Sequence, residues 1–203
     1  MSPKYTLTYF NARGFAETAR MLFALADVEY TDRRMEREEW PAIKPTTPFG
    51  QVPMLEVDDL KISQTTAIYR YLARKFGFAG ATPEEDARLD MIVECIKDML
   101  QGIMKIRYEK DEAKQAELKK DLVENTLPGQ LEKMNAFVGD KQFFNGDKIS
   151  YADIVLFNGL PGYKFIDVEI DYGKYPALKA VQDRVAANPK IAAWIAKRPV
   201  TEM

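Results

Sequence analysis

The sequence predicts an α/β half followed by an all-α half. Two observations lead there. Strand-like and helix-like segments follow the order β-α-β-loop-β-β-α through residue 76, which argues for a small mixed sheet with helices against it. A strong helix start then stands at Thr82-Pro83, and nearly everything after it reads as helix.

Tyr5, Leu7 and Tyr9 alternate with Thr6, Thr8 and Phe10, the period of a strand. Ala16 to Ala26 is an apolar helical run, and Glu29 to Arg34 reads as a second strand. A proline-rich loop spans Trp40 to Pro48, two strands flank Asp58-Asp59, and a helix runs from Gln64 to Phe76. Gly77-Phe78-Ala79-Gly80-Ala81 is the expected linker, giving domains of 1–78 and 83–203. Thr82, Pro83 and Glu85 form an N-cap, first helical position and capping partner for a long helix to Tyr108. A polar helix is expected from Asp111 towards Phe137, interrupted near Pro128-Gly129. Ser150-Tyr151-Ala152-Asp153 is a capping box with Ile149 as its hydrophobic staple. Helices around Ala177–Asn188 and Lys190–Lys197 finish the chain.

Composition removes whole classes of chemistry. The 203 residues include no histidine, so a Ser-His-Asp or Cys-His nucleophile and a histidine general base are both excluded. With one cysteine, Cys95, there is no internal disulfide and little basis for a metal, so none is expected. The net charge of −2 gives no reason to expect nucleic acid. With no long apolar run and no leader-like opening, neither membrane association nor export is expected, and the reading is cytoplasmic.

The richest stretch is Pro48 to Val57 with Ser63 to Ile68. A proline donates no ladder hydrogen bond, so Val52 before Pro53 can offer its N–H and C=O to an extended peptide. Gln64-Thr65 opens a helix, where free N–H groups and the dipole favour a carboxylate. A peptide-like ligand bearing a carboxylate follows, although such residues equally serve as plain N-caps. Tyr9 ends its strand where open sheets bind ligands, or else is a half-buried core residue like Tyr5. Trp40 and Lys44, four apart, either converge on one ligand or are a packed indole and a solvated amine.

Five motifs in order, Tyr-Phe-Asn-x-Arg-Gly at 9–14, Glu-Trp-Pro-x-x-Lys at 39–44, Pro-Phe-Gly-Gln-Val-Pro at 48–53, Ser-Gln-Thr-x-Ala-Ile-x-Arg-Tyr-Leu at 63–72 and Ser-Tyr-Ala-Asp at 150–153, resemble those of a sigma-class glutathione transferase along the whole chain. The resemblance implies a thioredoxin-like N-terminal domain, an all-helical C-terminal domain and a homodimer. It implies transfer of an alkyl or aryl group to the sulfur of glutathione, the co-substrate, from small hydrophobic electrophiles, with peroxidase activity as an extension. Tyr9 would donate a hydrogen bond to the sulfur. Arg13, Trp40, Lys44, Gly50, Gln51, Val52, Pro53, Gln64 and Thr65 would hold the tripeptide, with Val52 pairing its backbone beside a cis Pro53. Asp98 would reach across from the partner subunit. Phe10, Phe15, Leu100 and Met104 are the electrophile-pocket candidates; Leu100 and Met104 share a helix face, which equally suits domain-interface core.

Three positions depart from the pattern. Thr65 stands where serine is usual, Phe15 where the vertebrate prostaglandin D synthases of this class carry arginine, and Lys97 where those enzymes place an acid. The last two weigh against a prostaglandin D isomerase, the second enzymatic reading. A lens crystallin and a non-catalytic carrier of hydrophobic ligands are the remaining alternatives.

Overall fold

The computed structural model describes residues 3–201. It divides into two compact units, one of residues up to Ala79 together with those from Asn188 onward, the other Gly80–Ala187.

The first unit is built on a four-stranded mixed sheet: β1 (Tyr5–Phe10), β2 (Thr31–Met35), β3 (Met54–Val57) and β4 (Leu60–Ser63), in spatial order β2-β1-β3-β4. β1 runs parallel to β2 and antiparallel to β3, and β3 pairs antiparallel with β4. The registers decide what meets at one end of this sheet. Thr8 faces Met54 and Met54 faces Ser63, so Tyr9, Pro53 and Gln64 are each the next residue along, side by side. Tyr5, Leu7 and Tyr9 are all buried, as their alternation required. Helix α1 (Glu17–Ala26), the short α2 (Trp40–Ile43) and α3 (Thr65–Phe76) lie between and after these strands in the chain, with α1 and α3 packed together.

α1 is less apolar than its sequence suggested. Glu17 and Arg20 both have 0 % of their side-chain surface exposed and pair at 3.2 Å. Their burial explains a boundary that sequence reading placed elsewhere. The last helix, α9 (Pro189–Lys197), falls within the 83–203 domain expected from sequence, yet it groups with the sheet. Trp194 Nε1 and Arg198 donate to the same Glu17 oxygen at 2.8 and 2.9 Å, and Lys190 Nζ donates to the Leu25 carbonyl at 3.0 Å.

The second unit contains α4 (Pro83–Tyr108), α5 (Glu112–Asp121), α6 (Leu127–Val138), α7 (Tyr151–Gly159) and α8 (Pro176–Ala187). Thr82 caps α4 by accepting from the Glu85 N–H, and the Gly80 and Ala81 N–H groups donate to Asp86 and Glu85, so the linker is docked on the helix it precedes. The break in the polar helix lies earlier than expected. A widened π-type turn covers Leu122–Thr126, and Pro128 sits in the first turn of α6, where a missing N–H costs least. The short 3-10 segments Leu160–Ile166 and Tyr172–Lys174 carry no strong sequence signal. Among the described residues no helix is long and apolar enough to cross a membrane.

α7 is buried almost all round, and its capping box is fully formed. Asp153 accepts from the Phe144 N–H, the Ser150 N–H and the Ser150 hydroxyl at 2.9, 2.7 and 2.6 Å. Burial pushes its carboxyl up to about 6 while these donors pull the other way. Asp153→Ala strands all three donors in the core and should destabilise the protein by about 2–4 kcal/mol in urea unfolding. A loss under about 0.5 kcal/mol would mean the box is not holding α7.

Candidate active site

Tyr9 ends the buried face of β1, and its hydroxyl accepts a hydrogen bond from the Phe15 backbone N–H at 3.4 Å. The turn between them is shaped for this approach. Gly14 has φ +39°, and a Cβ there would lie 2.7 Å from the Tyr9 oxygen and 3.0 Å from its Cε1. Both the backbone and the space therefore call for glycine. Three carbonyls of the same turn are pinned from below. Arg20 donates to Ala12 and Arg13 at 2.7 and 3.4 Å, and the Tyr69 hydroxyl donates to Phe15 at 2.6 Å.

A second group gathers around α2. The Phe10 ring packs edge-on against both Tyr9 and Trp40, each at 5.8 Å. Trp40 opens α2 and is half-buried; Lys44 follows its last residue and is exposed. The Lys44 carbonyl is held by the Thr47 N–H and hydroxyl, while its side chain runs past Gly50, where a Cβ would lie 3.3 Å from Lys44 Cε. Gly50 has φ +63°, so it too is fitted by lack of a side chain.

A third group lies at the ends of β3 and β4. The Val52-Pro53 bond is cis, and both ladders of β3 begin at Met54, leaving Val52 outside them. Gln64 donates from Nε2 to Gln51 Oε1 at 2.9 Å. Gln64 also has φ 74° and ψ 120°, a strained conformation for a side-chain-bearing residue and of the kind that concentrates at ligand sites. Thr65 follows as the first residue of α3. Arg13 is half-buried at the turn, and its Nε has no hydrogen-bond partner among the described residues.

The remaining candidates are divided between the two units. Phe10 is occupied with its two ring neighbours, whereas Phe15 stands 42 % exposed beside Tyr9. Leu100 is half-buried within the helical unit, close against Gly159 and Gly162, and Met104 is half-buried on α4. Asp98 is exposed on α4, and neighbouring Lys97 pairs with Glu94 at 3.0 Å.

Family models for glutathione S-transferases match twice, the N-terminal domain over residues 5–74 and the C-terminal domain over 97–198. The chain belongs to the glutathione S-transferase family. It is 46% identical over 202 residues to the hematopoietic prostaglandin D synthase of Gallus gallus, covering 98% of both chains. It is 44% identical over 202 residues to glutathione S-transferase S1 of Drosophila melanogaster, covering 98% of this chain and 80% of that one. Among solved structures, that of a prostaglandin synthase D from Nilaparvata lugens superimposes with a TM-score of 0.89 at 42% identity, covering 98% of this chain and 100% of the other. The architecture is the transferase fold, a thioredoxin-like mixed sheet followed by a helical domain.

Sequence reasoning passed over four residues that shape this transferase's site: Gly14, Glu17, Arg20 and Tyr69. Gly14 stood inside the first motif without a role. A glutamate and an arginine three apart in an otherwise apolar run were the available sign of a buried pair. Tyr69 reads as ordinary core on its helix, and only the structure turns its hydroxyl to Phe15. The Gly14 contact is testable by a double-mutant cycle in urea. Gly14→Ala should cost about 1–3 kcal/mol in the wild type, and about 0.5–1.5 kcal/mol less once Tyr9→Phe removes the crowded oxygen. Equal costs in both backgrounds would contradict the close approach.

Proposed function

We propose that this chain is a sigma-class, homodimeric, cytoplasmic glutathione transferase that joins the glutathione sulfur to small apolar electrophiles. The observation that carries the proposal is the placement of the Tyr9 hydroxyl. It lies at the sheet end where the registers also bring Pro53 and Gln64, buttressed by one backbone N–H and with Gly14 clearing its approach. Family membership supports glutathione as the co-substrate. Val52 would pair with the middle of the tripeptide, Gln64 and Thr65 would take the γ-glutamyl end, and Arg13, Trp40, Lys44 and Gln51 the other groups. Asp98 would serve the partner's site.

The chemistry needs no protein base of the histidine type. Glutathione's thiol gives up its proton to water, and the thiolate forms a bond to the electrophilic carbon as the leaving group departs with its electron pair. The Tyr9 O–H favours the thiolate by donating to the charged form. If the bound thiol falls about two units from ~8.5, the thiolate fraction at pH 7 rises roughly 25-fold. Lower basicity takes back about 8-fold in nucleophilicity. Ionisation therefore yields a few-fold, and the larger share comes from holding sulfur and electrophile together. Exposed Phe15 offers apolar surface beside the Tyr9 hydroxyl for the electrophile.

Glutathione-dependent prostaglandin isomerisation is a second reading, supported by the identity to the Gallus gallus synthase. Phe15 and the Glu94-paired Lys97 stand against it; formation of a D-series product from a prostaglandin endoperoxide would restore it.

Conjugation of glutathione to a generic aromatic electrophile should fall at least about tenfold in Tyr9→Phe, with glutathione affinity changed less than about twofold. Loss of binding in step with turnover would overturn that division of labour. A wild type that binds glutathione without turnover would replace the transferase with a crystallin or carrier. In the same titration Asp98→Ala should weaken binding, and unchanged affinity would remove Asp98 from the site.

A further inference from the structure

The backbone of Phe15 is held at both its N–H and its carbonyl. Its N–H points to the Tyr9 oxygen at 3.4 Å, and its carbonyl accepts from the Tyr69 hydroxyl at 2.6 Å. Tyr69 belongs to α3 and is 4 % exposed, so its hydroxyl proton has little alternative destination. Thr18, buried on α1, hydrogen-bonds the Tyr69 oxygen in turn. Tyr69 and Tyr9 therefore hold residue Phe15 by its two backbone polar groups, which lie in adjacent peptide units, so the link from Tyr69 to Tyr9 is one of position and not of polarisation. Burial raises the Tyr69 phenol well above its ordinary range, so it remains a neutral donor across the working pH. The titratable groups that bear on it are Tyr9 on β1 and Glu17 and Arg20 on α1, the last two paired with each other.

We propose that Tyr69 is a positioning residue for the reaction: by holding the Phe15 carbonyl it fixes the backbone of that residue and with it the N–H that occupies a lone pair of the Tyr9 hydroxyl. This rests on the transferase reading above, in which Tyr9 donates to the glutathione sulfur. The consequence is directional. With one lone pair engaged by Phe15, the O–H proton of Tyr9 points away from that N–H, and an oxygen that accepts is a stronger donor. Tyr69 thus sharpens the bond to the thiolate without touching the substrate.

The test is Tyr69→Phe, which removes one oxygen from a site that otherwise keeps its shape. Turnover at saturating glutathione should fall roughly 3- to 10-fold, and the apparent pKa of the bound thiol, read from the pH profile of kcat/KM for the electrophile and from thiolate ultraviolet absorbance, should rise by about half a unit to one unit. The KM for glutathione should stay within about twofold, because no tripeptide contact is altered. Adding Tyr69→Phe to Tyr9→Phe should shift the thiol no further. An unshifted thiol in a folded Tyr69→Phe protein, or an equal additional shift in the double variant, overturns the proposal. If the variant does not fold, Thr18→Val tests the same chain one bond further out, with a smaller shift in the same direction expected and no shift overturning it. The two layers fail separately. A thiol pKa unchanged from the wild type in Tyr9→Phe sinks the transferase reading, whereas a raised one in Tyr9→Phe and an unchanged one in Tyr69→Phe sinks only the role of Tyr69.

Discussion

A buried carboxylate organises the first unit. Glu17 lies on α1 with no side-chain surface exposed, one oxygen receiving Trp194 and Arg198 and the other receiving Arg20. Arg20 extends the cluster to Asp32 on β2 at 3.0 Å, and Arg34 meets the same carboxylate at 2.8 Å. Desolvating such charges is expensive, and replacing a whole buried cluster by apolar residues can be neutral or better. Removing one member is different, since it leaves an unpaired charge at a cost of about 3–5 kcal/mol. The arrangement is therefore a weak source of net stability and a strong determinant of geometry. It fixes α9 to α1, and through Arg20 it holds the Ala12 and Arg13 carbonyls of the turn that faces Tyr9.

That fixed turn matters because of how little the ionisation of a thiol can contribute. A few-fold gain in effective nucleophile leaves most of the acceleration to positioning, and misplacement by about 1 Å can cost on the order of a hundredfold. The site meets that demand by spending conformational freedom locally. Gly14 and Gly50 take positive φ values, at Gly14 where a Cβ would collide with Tyr9, and Gln64 holds a strained backbone while its side chain is tied to Gln51. Gly14 opens a short 3-10 turn and Gln64 lies between β4 and α3, so both are fixed by regular elements.

Much of this was legible in the sequence because the signals are local. Strand alternation in Tyr5–Phe10, the Thr82-Pro83 start and the Ser150–Asp153 capping box are set by neighbours within four residues, and all three appear as read. The gathering of Tyr9, Pro53 and Gln64 was expected from ordered motifs, and the registers of β1, β3 and β4 supply its physical cause. What escaped was non-local. The attachment of α9 to the sheet depends on Glu17 meeting residues about 180 positions away, for which helix periodicity gives no sign. Likewise Tyr69 and Phe15 are 54 residues apart, and an aromatic on an apolar helix face reads as packing. The polar helix broke before Pro128 because the first turn of a new helix tolerates proline, which moved the disruption upstream to the π-type turn.

The central claim is that the Tyr9 hydroxyl, held by the turn beneath it, meets the sulfur of glutathione. A crystal structure of the protein with glutathione tests it most directly. The account predicts the sulfur within hydrogen-bond distance of the Tyr9 oxygen, the Phe15 N–H still on that oxygen, Val52 paired with the tripeptide backbone and the γ-glutamyl end at Gln64 and Thr65. A sulfur bound away from Tyr9, or a turn that releases Phe15 when glutathione enters, would contradict it.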